Sequence, residues 1–199
     1  MSEFVEALRL HTRDFCLLSE QQEWKLEQHY KMLVRWNEKI NLTSVRTLDE
    51  IVIRHYAESL FAAVQLALED ASGRFLDIGS GAGFPGFPIG VYNSALSGTL
   101  LESHRRKAVF LREAVRLCGN LRVMNDRLEA VEDWFDWAVL RAVQWRGVWR
   151  KLSRITRRAG FLVGASDKDA LLQQVGVRWT APVSLPWCSG KFWVVGHFL

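Results

Sequence analysis

The stretch Phe75-Leu76-Asp77-Ile78-Gly79-Ser80-Gly81-Ala82-Gly83-Phe84-Pro85-Gly86 constrains this chain more than any other part of it. A short apolar run predicts a strand that delivers an acid, and three alternating glycines follow at once. Glycine takes positive φ without steric cost and leaves room for a ligand against the main chain. In open α/β sheets ligands bind outside the carboxyl ends of the strands, where such a loop must lie.

The rest of the chain supplies that sheet. Strands are predicted at Phe75–Ile78, Thr99–Glu102, Leu121–Met124, Trp137–Leu140 and Phe161–Ala165, with helices at Arg105–Leu117 and Val148–Ile155 between them. Such alternation implies a mostly parallel, twisted sheet with helices on both faces. After Pro186, the β-branched and aromatic run from Gly190 to Leu199 reads as a last strand. The front of the chain reads differently. Ser19-Glu20-Gln21-Gln22 and Thr47-Leu48-Asp49-Glu50 are capping-box patterns. They open helices running to about Ile40 and through Phe61. We therefore expect a helical extension over residues 1–66 packed on an α/β unit over 67–199. The 199 residues suffice for one sizeable core. No run approaches the ~18 consecutive apolar residues of a membrane span, and the first residues lack a basic-then-apolar leader. Cys16, Cys118 and Cys188 are isolated and lack metal-ligand spacing, so no metal is expected and a reducing cytoplasm fits.

Two ligand classes compete for the glycine loop. Gly81-Ala82-Gly83-Phe84-Pro85-Gly86 matches the dinucleotide pattern G-x-G-x-x-G. Yet Gly81 comes three residues after Ile78, and counting from Gly79 puts Phe84 at the third glycine position. Pro85 and Pro88 also make the next helix a poor pyrophosphate cradle. Charge points the same way: S-adenosylmethionine carries a sulfonium and an ammonium and no phosphate, so Asp77 suits it and repels a diphosphate. The methyl donor is favoured over a dinucleotide, with a ligand-free tight turn as the bland alternative. Glu102, at the end of the second strand, lies where nucleotide-binding folds place an acid on ribose hydroxyls. That position indicates a nucleoside and does not separate the two classes.

Several blocks together resemble the RsmG (GidB) family of methyltransferases acting on bacterial small-subunit ribosomal RNA. They are Asn41-Leu42-Thr43-Ser44-Val45-Arg46 with Val52-Ile53-Arg54-His55, then Asp77 to Gly86, Leu101-Glu102-Ser103 with Phe110-Leu111, Asp126-Arg127-Leu128-Glu129, Phe135-Asp136 and Leu140-Arg141-Ala142. The resemblance implies a Rossmann-like class I methyltransferase fold. It implies methyl transfer from S-adenosylmethionine, leaving S-adenosylhomocysteine, to N7 of a guanine (guanine 527) in 16S ribosomal RNA. It also implies donor contacts at Gly79, Phe84, Leu128, Glu129 and Arg141, added to Asp77, Gly81, Gly83 and Glu102 from the loop argument. Free RNA, the small subunit or an assembly intermediate is the implied partner, met by a single copy of the chain with no membrane involved. Two departures stand out. Glu102 replaces a usual Asp and keeps the charge. Val163-Gly164-Ala165-Ser166 lacks the lysine that often follows the fifth strand, leaving Lys168 as a substitute.

Guanine N7 has a free lone pair, so no general base is needed and none is assigned; Arg141 is the candidate orienting residue. The net charge of +4 is small, and its distribution says more. Arg46, Arg54 and His55, and Arg105, Arg106 and Lys107, are the expected RNA phosphate contacts. Arg146, Arg150, Arg154 and Arg158 recur every four residues and predict one basic helical stripe, a solvated face unless RNA meets it. Alternatives that stay open are a methyltransferase for another RNA or a small molecule, and a nucleoside-binding module without catalysis.

Overall fold

The computed structural model describes residues 1–199. Five parallel strands form the centre of one sheet: β1 (Gly73–Ile78), β2 (Leu96–Leu101), β3 (Leu121–Met124), β4 (Phe135–Arg141) and β5 (Thr156–Gly164). Their order is β3-β2-β1-β4-β5, so the connections reverse direction between β1 and β4. That reversal opens a crevice beside the glycine loop. Beyond β5 the sheet turns antiparallel. β8 (Lys191–Phe198) pairs with β5, and the short β6 (Val177–Trp179) and β7 (Val183–Ser184) pair with β8.

Alternation along the strands builds two cores. Phe75, Leu100, Trp137, Val139 and Trp193 face one side, while Leu76, Ile78, Leu101, Leu140 and Phe161 face the other. The second face is covered by α7 (Trp145–Ile155) and α8 (Ala165–Leu172) through Leu152, Ile155 and Leu171. The first is covered by α5 (Gly86–Tyr92), α6 (Arg105–Ala114) and the N-terminal helices. The expected four-arginine stripe does not survive as one face. Helix α7 ends at Ile155, so Arg158 lies on β5 with its guanidinium 4.2 Å above the Trp137 ring.

The N-terminal segment folds as α1 (Glu3–Thr12), α2 (Glu20–Asn37) and a longer helix in three parts. Those parts are α3 (Leu48–Ile51), a π-helical turn (Val52–Ala57) and α4 (Glu58–Leu68). The Ser19 capping box forms in full, Ser19 accepting the Gln22 N–H while Gln22 caps back; at Thr47 the side chain accepts the Glu50 N–H, and the Glu50 carboxylate accepts the Thr47 hydroxyl and not its backbone N–H. Helix α4 runs two residues past the boundary drawn at residue 66. From Leu48 to Leu68 the 21 residues have the length and apolar character of a membrane-crossing helix, which the sequence did not suggest. Packing accounts for them: Val52, Tyr56, Leu60, Ala63 and Leu66 are buried in the core that also holds Phe75 and Trp137. The extension and the sheet share that one core.

Candidate functional site

Gly79, Gly81 and Gly83 take φ of +72°, +58° and +91°, a conformation that side chains oppose. The loop is pinned from two sides. The Gly79 and Ser80 N–H groups donate to the Leu101 carbonyl at the end of β2, at 2.9 and 3.0 Å. Glu102, buried just after β2, accepts the Gly81 N–H on Oε2 (2.9 Å) and the His104 N–H on Oε1 (2.7 Å). Glu102 thus shapes the loop by holding two backbone N–H groups at once.

Asp77 behaves differently from the expectation of an acid lining an open site. It is fully buried on the α5 side of the sheet, and Oδ2 accepts the Gly86 N–H at 3.0 Å. Oδ1 has no protein partner. Burial pushes its carboxyl up to about 7. Its direct work is to brace the turn into α5. Phe84 is also placed away from the expected donor contact. Its ring is buried in an aromatic cluster, stacked on His55 at 4.9 Å and edge-on to His29 and Tyr56 at 5.3 and 5.0 Å.

Sequence reasoning missed His29. From α2 its Nε2 reaches the Ala82 carbonyl inside the glycine loop at 3.0 Å, and the Tyr56 hydroxyl meets Nδ1 at 2.7 Å. These partners assign the proton to Nε2, with Tyr56 donating to Nδ1. Complete burial holds the ring neutral, with its pKa pushed down to about 3. The N-terminal helices therefore support the loop directly.

Two cavities adjoin on the crevice side of the sheet. The first, about 290 Å3, is lined by Gly79, Leu101, Ser103, Leu128, Glu129 and Val148, among others. It brings together Gly79, Leu128 and Glu129 as the sequence predicted, with the last two on a 3-10 turn after β3. The second, about 270 Å3, is lined by Arg54, Glu58, Arg141, Val143, Asp167 and Lys191, with the ends of β4 and β5 behind them. A Cβ on Gly79 would stand 3.0 Å from Val143 Cγ2, so the two cavities meet across that pair. Ala142, in the wall of the second, takes φ +55°, a strained choice for a residue with a side chain.

Arg141 belongs to the second cavity. Its Nε donates to Glu58 Oε2 at 3.0 Å, and its terminal nitrogen donates to the Arg54 carbonyl and approaches His55 Nδ1 at 3.2 Å. The other Glu58 oxygen is held by the Lys191 ammonium. Glu58 is 3% exposed, so a buried carboxylate carries two cations. Lys168 does not fill the place after β5. It pairs with Asp169 at 3.1 Å and lies over the Phe192 ring. Lys191 does so instead, because β8 sets it opposite Gly164, the last residue of β5.

The expected RNA cations divide. Arg46, Arg54, Arg105 and Arg106 are exposed, with Lys107 half-buried beside them at the start of α6. His55 is not a free cation. Burial, and next to it Arg141, push its pKa down to about 4, and Nε2 bonds Thr43 Oγ1 at 2.7 Å. It joins the π-helical turn to the Asn41–Arg46 segment.

A Rossmann-like parallel sheet, a glycine loop after its first strand and a cavity at the reversal point define the architecture of class I methyltransferases. Solved structures agree. A magnesium protoporphyrin IX methyltransferase from Synechocystis, crystallised with bound S-adenosylmethionine, is similar at TM-score 0.65 and 11% identity, covering 92% of this chain and 99% of that one. A mitomycin 7-O-methyltransferase is similar at TM-score 0.58 and 17% identity, covering 89% and 68%. The family described as "GidB: rRNA small subunit methyltransferase G" matches residues 22–164, and the chain belongs to that family. Relatives carrying the name ribosomal RNA small subunit methyltransferase G include one from Dictyoglomus thermophilum, 38% identical over 130 residues, covering 61% of this chain and 54% of that protein. Another, from Aquifex aeolicus, is 38% identical over 130 residues, covering 63% and 66%. One from Xanthomonas euvesicatoria is 44% identical over 110 residues, covering 54% and 50%. The matched part of the chain spans about half to two thirds of these relatives' length.

Proposed function

We propose that the protein methylates N7 of a guanine in 16S ribosomal RNA, guanine 527 by family likeness, using S-adenosylmethionine. The observation that carries this reading is the meeting of the two cavities at Gly79 and Val143. The first fits a nucleoside bearing cations: Leu128 gives an apolar wall for adenine, Asp126 and Glu129 bring acids, Glu102 stands next to the wall holding Gly81, and the bare Gly79 backbone admits close approach. Asp77, with one buried oxygen free of partners, lies behind the loop and braces it through the Gly86 N–H. The second cavity takes the target purine.

The donor, when bound, supplies a sulfonium methyl group; the N7 lone pair bonds to its carbon as the carbon–sulfur bond breaks and that electron pair stays on sulfur. The protein's own share is placement. Glu58 fixes the Arg141 guanidinium and the Lys191 ammonium, whose remaining N–H groups face the cavity as donors for a purine carbonyl such as O6. Asp167, bonded to Trp145 and Arg146, is the other acid in the cavity wall and offsets part of the charge of these cations. No proton leaves N7, so no side chain need act as base.

Arg46, Arg54, Arg105, Arg106 and Lys107 surround this crevice in the proposed complex and bind RNA phosphates. Residues 1–66 and 67–199 act as one catalytic unit, a single copy meeting small-subunit RNA or an assembly intermediate in the bacterial cytoplasm. The test is mass mapping of unmethylated 16S RNA, both free and within small subunits and their assembly intermediates, incubated with the purified protein and S-adenosylmethionine. Appearance of N7-methylguanine supports the reading; methylation elsewhere or none refutes it. Parallel calorimetry with S-adenosylhomocysteine and NADH checks the donor, and binding of NADH alone would overturn it.

A further inference from the structure

At the end of the sheet opposite the glycine loop lies a cavity of about 380 Å3, lined by Arg157, Arg158, Arg178 and His197 together with Asp136 and Leu199. Strand register explains the convergence. Arg158 on β5 stands opposite His197 on β8, which stands opposite Arg178 on β6. Directly opposed residues share a face with Cβ atoms about 5 Å apart. Two guanidinium groups therefore flank one imidazole across three strands.

Burial and then Arg178 push the His197 pKa down, Glu69 acts against them, and neither flanking guanidinium has an acid at bonding distance. None of the three arginines takes part in an ion pair. The acid in the wall, Asp136, accepts the Arg74 backbone N–H at 2.7 Å instead. Arg158 is held over the Trp137 ring, 4.2 Å from its centroid. The concave shape, the fixed guanidinium and three arginines without an ion pair, with Asp136 as the one acidic side chain in the wall, have one chemistry in common: an oxyanion that accepts from several arginines at once.

The geometry points to an anion site that holds a backbone phosphate of the RNA substrate, remote from the place of methyl transfer. This inference rests on the RNA reading above. From Arg158 to Gly164, which borders the purine cavity, six residues of β5 span about 20 Å. An RNA gripped at both ends of the sheet lies across the face that carries α4. Such a contact adds affinity and register and reads no base.

The test compares wild type with the double variant R157Q/R178Q, both residues being exposed. RNA affinity is measured by fluorescence anisotropy over a salt series, with donor affinity by calorimetry as the control for folding. The variant is expected to keep its donor affinity and its turnover at saturating RNA. Its KM for RNA rises, and the slope of log K against log salt becomes shallower by roughly 0.7–0.9 for each phosphate that is no longer neutralised. Restoring charge with R178K on the R157Q background recovers part of the slope. Independently, inorganic phosphate raises the Tm of wild type by more than that of the variant, because it binds the folded arginine cluster. Equal slopes, with wild type binding RNA normally, would overturn the remote site and leave the proposed activity standing. Equal phosphate effects on Tm, as when a carboxylate at Leu199 satisfies the arginines, would also overturn it. A wild type that binds no ribosomal RNA would remove both.

Discussion

Replacing Asp77 with Asn isolates the cost of holding an ionisable group under α5. The carboxyl sits at about 7 in the folded protein against about 4 in the unfolded chain. A folded pKa above the unfolded one means the native state binds the proton more tightly, so stability falls as pH rises. The contribution is whole below about pH 4 and is lost as pH rises through 7. At 1.36 kcal/mol per pH unit, the full loss is about 4 kcal/mol, and the part between pH 5 and pH 8 is about 3 kcal/mol. Asn keeps the shape and can still accept the Gly86 N–H, but it does not titrate. The assay is urea unfolding of both proteins followed by tryptophan fluorescence at pH 5, 6, 7 and 8. His29 and His55, with depressed pKa values, act in the opposite sense and lose stability as pH falls, but they are present in both proteins and cancel in the difference. Wild type minus D77N should drop by about 3 kcal/mol from pH 5 to pH 8. A difference that stays flat would show that Asp77 is solvated or paired, and the reasoning from burial would fail.

Gly79→Val puts a branched side chain at φ +72° and a Cβ 3.0 Å from Val143, in the seam between the cavities. Calorimetry should show loss of S-adenosylhomocysteine binding, and ordinary affinity would mean that the loop is not the donor site. Lys191→Met leaves Glu58 with Arg141 as its single cation. It should lower kcat at least tenfold, equivalent to about 1.4 kcal/mol, with donor affinity kept and partial rescue by Lys191→Arg; unchanged kcat would separate Lys191 from the chemistry. Arg54→Glu should weaken RNA binding and flatten its salt dependence while sparing the donor, since the Arg54 group that meets Arg141 is its backbone carbonyl. Methylation equal to wild type at limiting RNA would refute that surface.

Much of the architecture was legible because its signals are local. Ser19 and Thr47 announce their helices within four residues, and the strands β1 to β5 and β8 show as apolar runs of ordinary length. Helix α5 was harder to see because Pro85 and Pro88 fall where a proline usually discourages a helix. Pro85 sits at the N-cap and Pro88 in the first turn, where no intrahelical N–H is needed. β6 and β7, at three and two residues, are too short to carry a period. The site divided along the same line. The glycine loop, Leu128 and Glu129 announce themselves, whereas Glu58 meets Arg141 and Lys191 across 83 and 133 residues. One signal was available: an acid inside the apolar run Leu48–Leu68 is costly to bury unless it is paired. His29 carried a fainter version, an imidazole on the inward face of α2. The ring positions of Phe84 and His55 were not legible for a further reason. Their spacing marked them as belonging to the site, but only packing decides that their rings point behind the loop rather than into it.

Lys191 has a temporal consequence. A ribosome delivers Glu58 and Arg141 long before it delivers residue 191, and domains order themselves as they emerge. The residues lining the first cavity are all present once Val148 on α7 has been made, but the second cavity waits for Lys191 on β8 to pair with β5. Under the proposed function, the donor side of such a protein is assembled before the purine side, and the strand that carries Lys191 joins the two.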